Sequence, residues 1–430
     1  MEEVRVTSAL KENPPGEFRR MTIVFVAIAI FLSIDPFFVW QTFAGGIGIP
    51  FFKIIQILAM ILMVSQLPLR NMRVNVFSYG LLMIGIFFFY SFFTGVKSGT
   101  THPLLIGNIL IYLFYALNVM TDRDILIKSF ELLRKIFAIV LAYTLVIHVL
   151  LLLRVPIPYQ LLQSGEAGRA EAGYQYYHNY LGCILINQSG KLMYRFTSVF
   201  TEPGVVGTFC AFFLAASGCH PKTDKRDLIF LISGILSFSV AFYVMLIIIC
   251  AIKALRSGGY KVFTGLLAIV VVYAVFMNVN FSNSNLIDIQ ERLEITETGL
   301  AGDNRIKEAA EKSYQAFLES DTKTVLLGYG YPDSKDTAAA WQSTASYKES
   351  IYALGFLGYG LLIAWFILAP IACYKSKDRR KNKLMYSYMA IFIMSQYQRP
   401  YMKALFLAYI LLAGCLYVQQ SEDNRDNHNV

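Results

Sequence analysis

Long apolar runs separated by short basic clusters set the pattern of the chain. The runs 21–40, 49–67, 74–94, 103–120, 134–153, 203–219, 261–279, 350–373, 384–397 and 401–418 each approach the roughly 20 apolar residues that a helix needs to cross a bilayer. One further run, 228–252, is broken near Ser237 and Ser239. The pattern predicts an all-α, polytopic integral membrane protein of about 11–12 transmembrane helices, with a re-entrant or hairpin pair and two larger external loops. Residues 1–20 are polar, and the run 21–40 is long and lacks a small-residue cleavage site, so it reads as a first span rather than a cleaved signal peptide.

The basic residues orient these spans, because short cytoplasmic loops collect Lys and Arg. Arg19 and Arg20 put the N-terminal segment 1–20 inside. Arg70 and Arg73, then Arg123, Lys128, Arg134 and Lys135, then Lys222, Lys225 and Arg226 keep the alternation regular. Lys253, Arg256 and Lys261, and the cluster from Lys375 to Lys383, both call for the cytoplasm. They agree only if 228–252 begins and ends inside, hence a hairpin or re-entrant pair whose broken backbone is buried or faces water. A single long span there would invert everything that follows. The membrane domain is then 21–418, the external loops are 154–202 and 280–349, and 419–430 is a cytoplasmic tail. Residues 280–348 hold 11 acidic against 7 basic residues, as an external loop should.

Composition narrows the function classes. Of the 430 residues, 56% are apolar and 16% charged, which excludes a soluble multidomain protein and a disordered chain. The net charge of +9 is spread in clusters between spans, so a nucleic-acid partner is rejected. The six cysteines fall mostly in or beside apolar runs and argue against a disulfide framework. Neither a metal-ligand spacing nor a nucleotide-phosphate loop is present, so no metal and no ATP-driven step are expected.

The chemistry-bearing residues gather in the external segments. Arg195 to Gly204 reads RFTSVFTEPG, with Pro203 suited to open a helix and Glu202 at its positive end. Glu202 and Arg195 are either a favourable helix start or polar site residues at the mouth of a membrane helix. In the second loop a helix capped by Asp303 or Asn304 carries Ile306, Ala310, Tyr314 and Phe317 on one face and Arg305 in its first turn. The turn Gly328-Tyr329-Gly330 either closes an ordered loop or cradles a phosphate with its amides. Arg399 lies in the short turn Gln396 to Tyr401. Arg195, Arg305 and Arg399 share one membrane face, and guanidinium forks suit a diphosphate. Three unrelated interfacial arginines are the plainer reading. His178 reads as an interfacial residue of an amphipathic stretch or, alternatively, as a site residue.

On RFTSVFTEPGVVGTF at 195–209, SGILSFSVAFYVML at 233–246, LLGYGYP at 326–332 and SYKESIYALGFLGYGLL entering a late span, the chain resembles the Wzy-type O-antigen polymerase family, over residues 130–418. That family also covers capsular and exopolysaccharide polymerases, and shares its plan with the O-antigen ligases. The resemblance implies an inverting, metal-independent glycosyl transfer, without a cofactor, at the outer face of the bacterial cytoplasmic (inner) membrane. The substrates would be undecaprenyl-diphosphate-linked glycan repeat units, with the lipid bilayer, a chain-length regulator and a flippase as further partners. Arg195, Arg305 and Arg399 would then hold the departing diphosphate, and Glu202 would act as base or orient Arg195. His178, Gly328, Tyr329 and Gly330 complete the candidate substrate contacts. Two departures stand out. The stretch Trp341 to Glu349 lacks the histidine the ligases carry there, which favours a polymerase, and Val240 and Ala241 stand where an arginine often follows the Ser-x-Ser stretch. A ligase, a polysaccharide transporter and a non-catalytic scaffold are the rival classes.

Overall fold

In the computed structural model, residues 16–34, 48–67, 114, 116–163, 176–188, 191–257, 308–330, 346–398 and 405–426, with scattered positions between 271 and 300, are described. Arg305 and Arg399 lie outside the described residues, as do the predicted span 74–94 and the helix caps Asp303 and Asn304. The predicted spans 103–120 and 261–279 are described only in part.

The chain is mostly helical. Helix α1 is Gly16–Ser33, α2 Gly48–Ser65 and α3 Arg123–Leu152. After a sheet come α4 (Pro203–Ser217), α5 (Lys225–Leu236) and α6 (Val240–Ser257). Helices α7 (Glu308–Leu318) and α8 (Thr322–Leu327) precede α9 (Tyr347–Tyr374), α10 (Arg379–Gln398) and α11 (Leu405–Asp426). Two of these, α3 and α9, are long and apolar enough to cross a membrane. Helix α4, equally apolar, has 15 residues, about 22 Å at the helical rise, and falls short of a full span.

Helix α4 is the centre of the bundle. It packs against α5, α6, α10 and α11, and nearly every side chain from Pro203 to Ser217 is buried. A helix that is apolar on all sides belongs in such a position. Beside it Phe137 of α3 stacks on Phe200 and Phe209 at 5.6 and 5.3 Å and meets Phe213 at 5.0 Å. Among the same helices, Arg134 of α3 is fully buried and pairs with Asp227 of α5, which is also fully buried. Asp227 accepts further bonds from the Ser217 hydroxyl at 2.8 Å and the His220 amide at 2.7 Å. Arg134 also reaches Asp224 at 3.0 Å, and Arg226 joins Asp224 to Glu131.

The expectation of an all-α chain needs correction. Residues 160–193 form a four-stranded antiparallel sheet in the order β1 (Gln160–Gln163), β2 (Tyr176–Tyr180), β3 (Cys183–Gln188), β4 (Lys191–Met193). A separate two-stranded ribbon pairs β5 (Ile295–Thr296) with β6 (Gly299–Leu300). Both faces of the larger sheet are covered. Leu162, Tyr177, Ile184 and Ile186 cluster on one side, while Tyr180, Cys183 and Leu185 pack on Ile147 and Leu151 of α3 on the other. Burial on both faces removes the alternation of apolar and polar positions that normally announces a strand.

Candidate functional site

The run 228–252 divides where the serines interrupt it. Helix α5 ends at Leu236 and α6 begins at Val240, with Phe238 between them at a φ of 47°. Such a break leaves carbonyls without helical partners, and in an apolar setting they must find others. Arg195 supplies them. Its Nη2 donates to the Phe238 carbonyl at 2.7 Å and its Nε to the Ser237 carbonyl at 3.3 Å, while the Phe196 amide donates to the Leu236 carbonyl at 2.9 Å. The guanidinium therefore caps the C-terminal end of α5, where the helix dipole favours a cation.

Segment 195–202 is held on every side by groups that the sequence placed far away. Phe196 and Phe200 are fully buried anchors. The Thr197 hydroxyl donates to the Ile184 carbonyl, and the Ile184 amide donates to the Ser198 carbonyl at 2.8 Å. Ser198 adopts a φ of 53° and its hydroxyl meets that of Thr144 at 2.8 Å. Pro203 then opens α4 as predicted, and Glu202 is its N-cap residue without a side-chain capping bond. Gly207, one turn further, admits Ser239 and Phe242 so closely that a Cβ would collide with both. The start of α4 is thereby fixed against the start of α6, and two positive helix ends lie near Arg195 and Glu202.

The Gly328-Tyr329-Gly330 turn has a different setting. Gly328 and Gly330 have φ of 76° and 87°. Their neighbour is a kink in α9 at Gly355, whose φ of 68° and ψ of 172° belong to glycine alone. The Tyr329 amide donates to the Tyr352 carbonyl at 2.9 Å, that of Gly330 to the Ala353 carbonyl at 3.0 Å, and that of Gly328 to the Thr324 carbonyl at 2.7 Å. The three amides that a phosphate cradle would use are thus already donating, and the ordered-turn reading describes them. Around the turn, Tyr314 and Phe317 of α7 pack with Tyr352, and Lys348 pairs with Glu311 at 2.7 Å. The Lys348 bond outweighs the effect of burial and lowers the Glu311 carboxyl below its usual range. The predicted helical face of Ala310, Tyr314 and Phe317 is the one that is buried.

The stretch that carries His178 is strand β2, and the residue is buried there. Its ring stacks on Tyr159 at 4.3 Å, and burial lowers its pKa, which favours the neutral imidazole. Tyr180 and Asn187 flank its two nitrogens at 3.4 Å each. Beside it, burial pushes the Cys183 thiol up to about 12. His178, Arg195 and Tyr329 therefore occupy three different settings.

One apolar cavity of about 230 Å³ lies between α9, α10 and α11, lined in part by Tyr347, Tyr359, Phe366, Phe392 and Gln396. Gln396 is 6% exposed, and its Oε1 has no hydrogen-bond partner. Sequence reasoning missed this cavity. Its signal was a glutamine inside an apolar run, three residues before Arg399. Among the described residues no group of His, Cys, Asp and Glu could hold a metal. No family model, curated protein or solved structure matches the chain.

Proposed function

We propose that the chain is a membrane glycosyltransferase that joins undecaprenyl-diphosphate-linked oligosaccharide repeat units, an O-antigen, capsular or exopolysaccharide polymerase. It works at the outer face of the bacterial cytoplasmic membrane, within a polytopic helical domain. The observation that carries this reading is the meeting of Arg195 and Glu202 with the broken α5–α6 segment and the first turn of α4. With the charge at its inner end anchored, α4 would leave Glu202 recessed by roughly 8 Å from the outer surface, since its 15 residues cover less than a bilayer core. A recess of this kind, lined by an arginine and by helix N-termini, suits an anionic diphosphate.

In the proposed reaction the acceptor hydroxyl attacks the anomeric carbon of the donor's reducing-end sugar. The bond from that carbon to the diphosphate oxygen breaks with inversion. Glu202 takes the hydroxyl proton or orients Arg195, and Arg195, Arg305 and Arg399 offset the charge that develops on the diphosphate. The apolar cavity beside Gln396 gives a place for part of the prenyl chain.

The test is polymerisation of a defined lipid-linked repeat unit by the purified protein in vesicles. Polymer with inverted linkages, made in the presence of EDTA and shortened by Arg305→Ala and by Arg399→Ala, supports the reading. Turnover without polymer, by transfer to a lipid A core acceptor, would instead identify the ligase class.

A further inference from the structure

The structure shows an unusual relation between α3 and the sheet that follows it. The last charged residue of α3 is Lys135; residues 136–153 contain no Asp, Glu, Lys or Arg, and their one histidine, His148, is buried. These residues span about 27 Å, close to the thickness of a bilayer core. One face of this stretch is open. Ile139, Tyr143, Val146 and Leu153 are 60, 55, 61 and 70% exposed. A tyrosine midway along such a stripe needs a partner for its hydroxyl, because hydrocarbon provides none. Tyr143 donates to the Leu181 carbonyl at 3.0 Å.

Leu181 and Gly182 are the two-residue turn between β2 and β3. Their φ values of 52° and 95° are those of the mirror-image turn favoured in tight hairpins. Tips of that kind usually carry Asn or Asp with Gly. Here the tip is a leucine, and its side chain is 57% exposed. The Gly182 amide is satisfied by the Asn179 Oδ1 at 2.8 Å. A carbonyl and an amide of the turn are thus bonded to protein rather than left to water.

The chain reaches this hairpin by doubling back. It leaves α3 at Leu153, and by Tyr159 it stacks on His178 and lies 5.3 Å from Tyr180, next to the tip. The returning segment is Val155-Pro156-Ile157-Pro158-Tyr159. It carries no charge, and its prolines remove two amide donors that would otherwise need partners. Ile157 packs on the α3 side of the sheet, while Val155 and Tyr159 are exposed.

We propose that the β2–β3 hairpin and residues 155–159 are embedded in the outer leaflet of the bilayer, with Leu181 among the acyl chains beside the open face of α3. The depth follows from the Tyr143 contact. Ten residues separate Tyr143 from Leu153, which places the tip about 15 Å below the end of α3. The inference rests on α3 as a membrane span. It makes the sheet a wedge between lipid and the segment that holds Arg195, through the bonds of β3 to Thr197 and Ser198.

Nitroxide labels test this. Cys250 is exposed and the other five cysteines are buried, so Cys250→Ser gives the background. The full chain is reconstituted in phosphatidylethanolamine–phosphatidylglycerol vesicles with a label at Leu181→Cys, Tyr159→Cys, Val146→Cys or Arg154→Cys. Collision with oxygen is compared with collision with a water-soluble nickel chelate. The labels at 181 and 146 should both favour oxygen, that at 159 should share their preference, and that at 154 should favour nickel. If 181 and 159 follow 154 while 146 remains oxygen-favouring, the hairpin lies in water and the proposal is overturned. If 146 also favours nickel, α3 does not face lipid, and the membrane reading fails together with the proposal. Should Leu181→Cys not insert, Tyr159→Cys carries the same comparison alone.

Discussion

Arg195 has one duty that the geometry shows and one that is proposed, and they make different demands on a variant. As a cap it satisfies carbonyls of Ser237 and Phe238 in a setting that offers little water. Arg195→Ala should therefore lower unfolding stability by about 3 kcal/mol, and Arg195→Lys, which keeps a charge but not the fork, by roughly half of that. Glu202 is the contrasting case, since it makes no side-chain capping bond to α4. As far as α4 is concerned, Glu202→Gln should cost less than about 1 kcal/mol, the size of a helix-dipole interaction. If Glu202 is the base, polymer formation at matched folded protein should nevertheless fall by about a hundredfold or more. Thermal unfolding in detergent, paired with polymer length at equal membrane levels, separates the two. Normal polymer from folded Glu202→Gln would remove that residue from the chemistry.

At the scale of elements, the sequence told most about the places where charge or proline punctuates a run. Pro203 marked the start of α4, and Ser237 with Ser239, combined with the requirement that Lys253 and Lys375 share a side, marked the break between α5 and α6. The face of Ala310, Tyr314 and Phe317 was legible from its spacing. The sheet was not, because strands buried on both faces look like any short apolar run, and Leu-Gly is a weaker hairpin signal than Asn-Gly. The candidate site was half legible. Arg195 and Glu202 stood out by position, yet nothing in the spacing tied Arg195 to residues 42 and 43 positions later. The Gly328 turn was visible, but its partner, the Gly355 kink, is a relation between two distant glycines. That pairing carries its own test. A Cβ at Gly355 would collide with the Leu326 carbonyl and would also sit in a backbone region closed to other residues. Gly355→Ala should cost about 3 kcal/mol or more. Gly360→Ala, in open space on the same helix, should be neutral or stabilising by up to about 1 kcal/mol. Equal melting temperatures for the two variants would contradict the kink.

For the whole molecule, the buried ion cluster decides how the helices are held relative to one another. Arg134 brings α3 to Asp227 and Asp224 of the α4–α5 corner, and lies 3.4 Å from the Tyr417 hydroxyl of α11. Its charge is compensated entirely by protein groups, so it reads as a clasp more readily than as a transport path. Removing one partner strands the other, and Arg134→Met alone should destabilise by about 3–5 kcal/mol. Arg134→Met combined with Asp227→Leu removes both charges and should recover much of that loss. Acid should loosen the same clasp. Burial by itself would raise the Asp224 carboxyl, but the hydrogen bond from Arg226 and the charge of Arg134 outweigh it and hold it down at about 2, against an ordinary 3.8. A carboxyl lowered by folding stabilises the fold at all pH values above its free range and ceases to do so as the pH falls toward its folded value. Unfolding midpoints in detergent should therefore be flat from pH 6 to about 4 in this respect and fall between about 4 and 2. Asp224→Asn should be less stable than the parent at pH 6, and the difference should shrink as the pH falls through that window. A constant difference across it would mean that the clasp draws nothing from the ionised Asp224.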